Sequence, residues 1–320
     1  MTKAAEGVRI LLDVLTETKK NEKILIVTDD TSRCVADIMW EEMKEYPNKI
    51  MMMMNDRSMH GEEPPERIAS AMLESDVIFN VAKFSMFHTN ARYNACARGA
   101  RFANMPDFTP AMLEQGALYA DFAQQEELLD RFADNFTGSE IHITTAMGTD
   151  IVSRFDGRKA SHQIARCVSR GSASAPPNLE SAIGPLEGIG EGILVVDGSI
   201  PFPSLGVIKE PIKLTISGGR IVNIEGGNEA ETLKKVLAGL NDDMVYRMAE
   251  IGFGFNNAAK LCSRMLEDEG CMGTGHFGFG SNTSFGGNQK SSNHLDMVYY
   301  KPTLTVDGKV LIKDGEFIFD

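Results

Sequence analysis

Two of the six histidines stand in company that can do chemistry. His276 lies in Gly273-Thr-Gly-His-Phe-Gly-Phe-Gly280, where glycines at alternate positions give close backbone approach in place of packing. His294 is separated from Asp296 by one residue. In an extended segment alternate residues share a face, so this pair can chelate one ion. With His276 it makes two imidazoles and one carboxylate, a set that leaves open coordination positions on a divalent metal. Two acids extend it. Glu180 follows the stiff Pro176-Pro-Asn-Leu in an otherwise uncharged stretch, and Glu250 ends an expected helix and runs into Ile251-Gly-Phe-Gly-Phe-Asn256. Five such ligands suffice for two metals bridged by a carboxylate, or for one metal with an acid/base Glu beside it. Taken singly, each residue has an ordinary reading as a solvated surface group. The glycine-rich bracket from Gly270 to Gly287 is what shifts the balance toward a site.

His88, in Ser85-Met-Phe-His-Thr-Asn-Ala-Arg92, falls where an expected strand ends and a helix starts. Side chains there face a ligand cleft in α/β sheets, so His88 is a candidate substrate contact, with a helix cap as the ordinary alternative. His60 reads as a solvated loop residue, His142 as part of an alternating strand, and His162 as part of a basic loop. The five cysteines form no CxxC pair and read as reduced thiols; only Cys262 and Cys271, near the glycine bracket, raise the question of a thiolate ligand.

These residues need elements to hold them. Over the first ~135 residues, apolar runs alternate with amphipathic stretches, the rhythm of β-α units on a parallel sheet. Strands are predicted at 23–28, 49–54, 76–81 and 101–104, and helices at 31–40, 66–73 and 89–98. Asp29, Asp30 and the segment around His88 then lie beyond strand ends, where such sheets bind ligands. No GxGxxG or GxxxxGK[ST] follows any strand, so nothing supports a dinucleotide or P-loop reading. After about residue 138 short β-rich runs punctuated by Gly and Pro predict a mostly antiparallel sheet, with helices at 229–240 and 244–251 and a closing hairpin turned by Asp307-Gly308. The expectation is an open parallel α/β domain over 1–138 and an α+β domain with a mostly antiparallel sheet over 139–320, the second carrying the metal site.

Composition narrows the function. With 32 Lys+Arg against 45 Asp+Glu the formal net charge is −13, which leaves nothing to neutralise phosphates and argues against nucleic acid as partner. No apolar run approaches the roughly 20 residues that span a bilayer, and the N-terminus lacks a signal pattern, so a cytoplasmic protein with no membrane partner is expected. A homodimer is the simplest assembly on general grounds.

The segments Pro176–Glu180, Asp197–Ile200, Ile221–Glu229, Ala249–Asn256, Glu267–Glu269, Gly273–His276 and His294–Asp296 together resemble the C-terminal half of the aminopeptidase T family of metallopeptidases, including the related branch that contains 2,5-dihydroxypyridine 5,6-dioxygenase. The resemblance extends over about residues 140–315. For the peptidases it implies two divalent metals (Zn, Co or Mn) held by Glu180, Glu250, His276, His294 and Asp296, activating water against a peptide or small amide, with Glu180 or Glu250 moving the proton. For the dioxygenase branch it implies one Fe(II) on His276, His294 and Asp296, with Glu180 and His88 toward a hydroxylated ring. The peptidases carry a Tyr seven residues after the motif His, where this chain has Thr283, and they are longer. The hydrolase is nevertheless taken as the leading expectation and the dioxygenase as the alternative. A third reading, a binding protein with a structural metal, is disfavoured because such sites are usually closed and Cys-rich.

Overall fold

The computed structural model describes residues 2–291 and 293–318, in two compact units: Met1–Phe122 with Ile164–Pro177, and Ala123–Gln163 with Asn178–Asp320. This differs from the single boundary expected near 138. The chain re-enters the first unit because Ala173–Ser174 adds a strand beside Arg101–Asn104, a pairing across some 70 residues that no local pattern announces.

The first unit is built on a parallel sheet in the order Lys49–Met54, Ile24–Asp29, Val77–Val81, Arg101–Asn104, Ala173–Ser174. Ile24–Asp29 and Val77–Val81 are buried throughout, as near-continuous apolar runs in a parallel sheet must be. Lys49–Met54 takes the edge, which exposes Ile50 and Met53. Helices Arg33–Glu42, Glu66–Leu73 and Asn90–Ala97 follow the first three strands in sequence, and the Thr89 hydroxyl caps the last by accepting from the Arg92 amide. Asp29, expected near a ligand, is instead buried and spent on backbone: it accepts from the Ser32 amide at 2.9 Å and the Lys83 amide at 2.6 Å. It ties together the loops that leave two neighbouring strands.

The second unit holds two sheets. One runs Arg220–Glu225, Ile212–Ser217, Glu191–Val196, Asp150–Arg154, Glu140–Thr144, Thr303–Val306, Lys309–Lys313, Glu316–Phe317, all antiparallel. Its hairpin turns on Asp307 and Gly308, at φ 46° and 84°, the left-handed pair that the Asp-Gly dipeptide predicts. The other sheet runs Gly206–Val207, Ser199–Ile200, His294–Tyr300, Thr274–Gly280, Met248–Gly254, Leu179–Ile183, Ser161–Ile164.

The helix expected over 244–251 is a single 3-10 turn, Asp243–Tyr246, followed by the strand Met248–Gly254. From Ala249 the residues alternate, Ala249, Ile251 and Phe253 against Glu250, Gly252 and Gly254, a period of two that outweighs the helical propensity of the preceding stretch. The helix near 229–240 spans Asn228–Gly239, with Gly227 rather than Asn228 as its cap residue. Sequence periodicity misses the 14-residue helix Phe122–Asn135. Its Phe132 and Phe136 meet Phe253 edge-on, at ring-centroid separations of 6.1 and 6.0 Å, and so close the apolar back of the second sheet. Among the described residues no helix is long and apolar enough to cross a membrane.

Candidate metal centre

Strand register gathers the predicted residues. Gly254 pairs with Glu180, Gly252 with His276, Gly278 with both Glu250 and Asp296, and Gly280 with His294. Directly paired residues in a sheet share a face, so Glu180, Glu250, His276, His294 and Asp296 all project from the same side of four adjacent strands. The intervening residues, among them Ile183, Ile251, Phe253, Phe277, Phe279, Leu295 and Met297, are buried on the opposite side. The alternating glycines now have a reason. A Cβ at Gly252 would lie 2.1 Å from His276 Nε2, and one at Gly278 would lie 2.5 Å from His294 Nε2 and 2.8 Å from Glu250 Cβ. Each imidazole lies over the bare backbone of a neighbouring strand.

His276 Nε2 is 3.6 Å from Glu180 Oε2 and 3.5 Å from Glu250 Oε1. His294 Nε2 is 2.7 Å from Glu250 Oε2 and 3.1 Å from Asp296 Oδ1. The donor atoms form two groups, each within 4.8 Å: Glu180, Glu250 and His276, and Glu250, His294 and Asp296. Glu250 belongs to both, one oxygen toward each. The trio His276, His294 and Asp296 expected for a single ion is not such a group among the described residues, because the two imidazoles point to opposite ends of Glu250.

The donor chemistry fits a cation. Both ring nitrogens of His276 and Glu180 Oε2 are buried without a hydrogen-bond partner, and a metal on Nε2 and Oε2 would satisfy two of these three atoms. His294 is held differently: its Nδ1 lies 2.8 Å from the Ser281 carbonyl oxygen. A carbonyl only accepts, so Nδ1 carries a proton, and once the ring loses its second proton Nε2 is the nitrogen left to bind an ion.

The same crowding moves the protonation equilibria. Burial, reinforced by Glu250 and Asp296, raises Glu180 to about 7. Burial opposes charge on His276, but Glu250, Glu180 and Asp296 outweigh it and lift the imidazole to about 9. His294 is raised well above its ordinary value by Asp296 and Glu250 against the same burial. Burial also pushes Asp296 upward, yet the charge and hydrogen bond of His294 bring it down to about 2.

One participant escapes sequence reasoning. Glu269 is buried, and burial together with Asp296, to which it is hydrogen-bonded, and Glu180 raises it well above its ordinary value. In sequence it is one of three consecutive acids, Glu267-Asp-Glu269, with nothing local to single it out. Its neighbour Asp268 is buried too, but accepts from the Cys262 and Ser263 amides at 2.7 and 3.1 Å and shapes the loop instead. Cys262 and Cys271 belong to neither ligand group, and burial raises them to about 12 and 11, so they are thiols. His88 belongs to the first unit, exposed in the loop before Asn90–Ala97 and edge-on to Phe87. Its expected substrate role rests on its place between a strand and a helix and on the resemblance.

A family model described as 2,5-dihydroxypyridine 5,6-dioxygenase matches residues 2–319. The chain belongs to this family. A protein of Pseudomonas putida named 2,5-dihydroxypyridine 5,6-dioxygenase is 34% identical over 144 residues, 42% of this chain and 41% of the relative, so the match spans under half of that protein's length. Among solved structures, 2,5-dihydroxypyridine dioxygenase from Pseudomonas putida KT2440 superposes with a TM-score of 0.82, covering 99% of this chain and 97% of that one at 19% identity. Wild-type AmpT from Thermus thermophilus follows at 0.68, covering 99% of each chain at 13% identity. Both show the shared fold. Membership in the dioxygenase family reverses the expected order of the two activities: the hydrolase placed first is not supported, and the dioxygenase placed second is. The two candidate ligand groups on one sheet face give this member of the family a place where a metal could be held.

Proposed function

We propose that the chain is an iron(II)-dependent dioxygenase that opens a dihydroxylated nitrogen heteroaromatic ring of the 2,5-dihydroxypyridine type. The observation that carries this reading is a buried, partly unpartnered set of metal ligands in a chain that matches the dioxygenase family from residue 2 to 319. Glu250, His294 and Asp296 would hold the ion: His294 is already oriented, and its side chain is 27% exposed, so this is the end of the cluster that substrate can reach. Iron(II), when bound, would bind ring and dioxygen together and let electron density pass from the ring to ground-state dioxygen, ending at its starting oxidation state.

The remaining work falls to the chain's own side chains. Glu180, titrating near 7, is poised to accept a proton from a ring hydroxyl at neutral pH. Glu269, raised by burial and by Asp296 beside it, is the acid that would most readily keep a proton against Asp296 and so lower the net negative charge around the ligands. The apolar back of the sheet excludes water and keeps these interactions strong.

The test is anaerobic loading with iron(II), followed by oxygen uptake with 2,5-dihydroxypyridine in ¹⁸O₂. One iron per chain and both labelled atoms in the ring-opened product are expected. Two zinc, cobalt or manganese ions per chain, with amide hydrolysis and no oxygen uptake, would overturn the proposal.

A further inference from the structure

We propose that Glu187, far from the ligands in function but fixed between two arms of the second unit, is a positioning residue that sets the orientation and tautomer of His294. The inference rests on the metal-centre reading above and adds the device that prepares one of its imidazoles.

The acceptor for His294 Nδ1 is the carbonyl of Ser281, the first residue after the strand Thr274–Gly280. A main-chain oxygen orients a ring only if its own peptide is held, and here the hold is traceable. The next residue, Asn282, is fully buried. Its amide donates to the Gln289 carbonyl at 3.1 Å, its Oδ1 accepts from the Gln289 amide at 2.8 Å, and its carbonyl accepts from the Phe285 and Gly287 amides at 3.0 and 3.1 Å. The loop is wound around this one side chain so tightly that a Cβ at Gly287 would fall 2.1 Å from Asn282 Cγ. Gln289 in turn donates to the carbonyls of Gly280 and Arg247.

What remains of Asn282 is its Nδ2, and this donates to Glu187 Oε1 at 2.8 Å. The same oxygen accepts from the Asn288 amide at 2.9 Å, while Oε2 is bound by Arg158, which also donates to the Pro185 carbonyl. Glu187 thus holds this loop at Asn282 and Asn288, while Asp242 accepts from the Ser291 hydroxyl at 2.6 Å nearer its end. Glu187 lies four residues beyond the strand that carries Glu180, so one side chain couples the exit of that strand to the carbonyl that orients His294. Bonds to an ionised acceptor are about twice as strong as neutral ones, which suits a clamp.

The experiment uses the full chain and cobalt(II), an oxygen-stable probe, in calorimetric titration, with ¹⁵N NMR of His294 and a thermal melt. Glu187→Ala is expected to weaken cobalt binding by about 10- to 100-fold, the cost of losing a group that orients a ligand. In the cobalt-free chain, at a pH high enough for the ring to be neutral, the Nδ1–H tautomer of His294 should lose population at the same time. Glu187→Gln retains an oxygen toward Asn282 and should recover most of the affinity and the tautomer. If Glu187→Ala does not fold, Asn282→Ser removes the linking amide from the loop side and is expected to behave alike. Native affinity with an unchanged His294 in these variants overturns the inference, as does a loss shared equally by Ala and Gln that merely tracks the melting temperature. No cobalt binding by the native chain would overturn the metal centre itself, and this inference with it.

Discussion

His276 and His294 lie on neighbouring strands of one sheet face, yet their rings are held by different means. His294 is bonded through Nδ1 to a carbonyl in a tightly wound loop, and its side chain is 27% exposed. His276 is fully buried, lies over Gly252, and has no hydrogen-bond partner at either nitrogen. Sheet register alone can deliver an imidazole to a site, but it does not choose a tautomer; a hydrogen bond from outside the sheet does that. The His294 end of the cluster is therefore prepared before metal arrives, whereas the His276 end depends on its three acidic neighbours and on the ion.

The largest expected effect removes what the two ends share. Glu250→Gln should lower metal affinity by more than about 100-fold, beyond the loss for a supporting residue, as read by elemental analysis after dialysis. A fully loaded Glu250→Gln protein would break the picture of one carboxylate serving both groups. Glu180→Gln, at the His276 end, should leave metal content intact but cut turnover by about 100-fold, as expected for an acid/base residue. Because Glu180 acts as a base only when ionised, native turnover should rise as pH passes 7, and that rise should vanish in the variant.

A smaller effect comes from proton competition. The ligand His294 holds its proton above its ordinary range in the ion-free protein, and a metal needs the neutral ring, so loading the His294 end releases a proton. Metal affinity should climb by about tenfold per pH unit above pH 6 until the ring is neutral and then level, measured by calorimetry in buffers of different ionisation enthalpy. A flat profile would mean that His294 is not a ligand. The smallest change sharpens the contrast sterically. Gly252→Ala places a methyl against His276 Nε2 and should cost about 1–3 kcal/mol of stability by overpacking, read in a urea melt, while the His294 end keeps its metal. Gly278→Ala should disturb both ends, since its methyl meets His294 and Glu250.

The sequence by itself determined what local pattern can carry. Apolar runs alternating with amphipathic ones specify the parallel strands, and Lys49–Met54 and Arg101–Asn104 keep their predicted bounds. Asp307-Gly308 specifies the last hairpin, and the His294-x-Asp296 spacing specifies a shared face. Tertiary structure alone decided how Glu180 meets Gly254 and how Gly278 lies between Glu250 and Asp296, because register between strands 20 to 70 residues apart depends on packing both faces of a sheet at once. It also decided that Glu250 sits on a strand and not a helix, and that Glu269 rather than Glu267 or Asp268 joins the cluster. A carboxylate's role is set by what surrounds it when folded, and three adjacent acids look alike until the chain has buried them in different places.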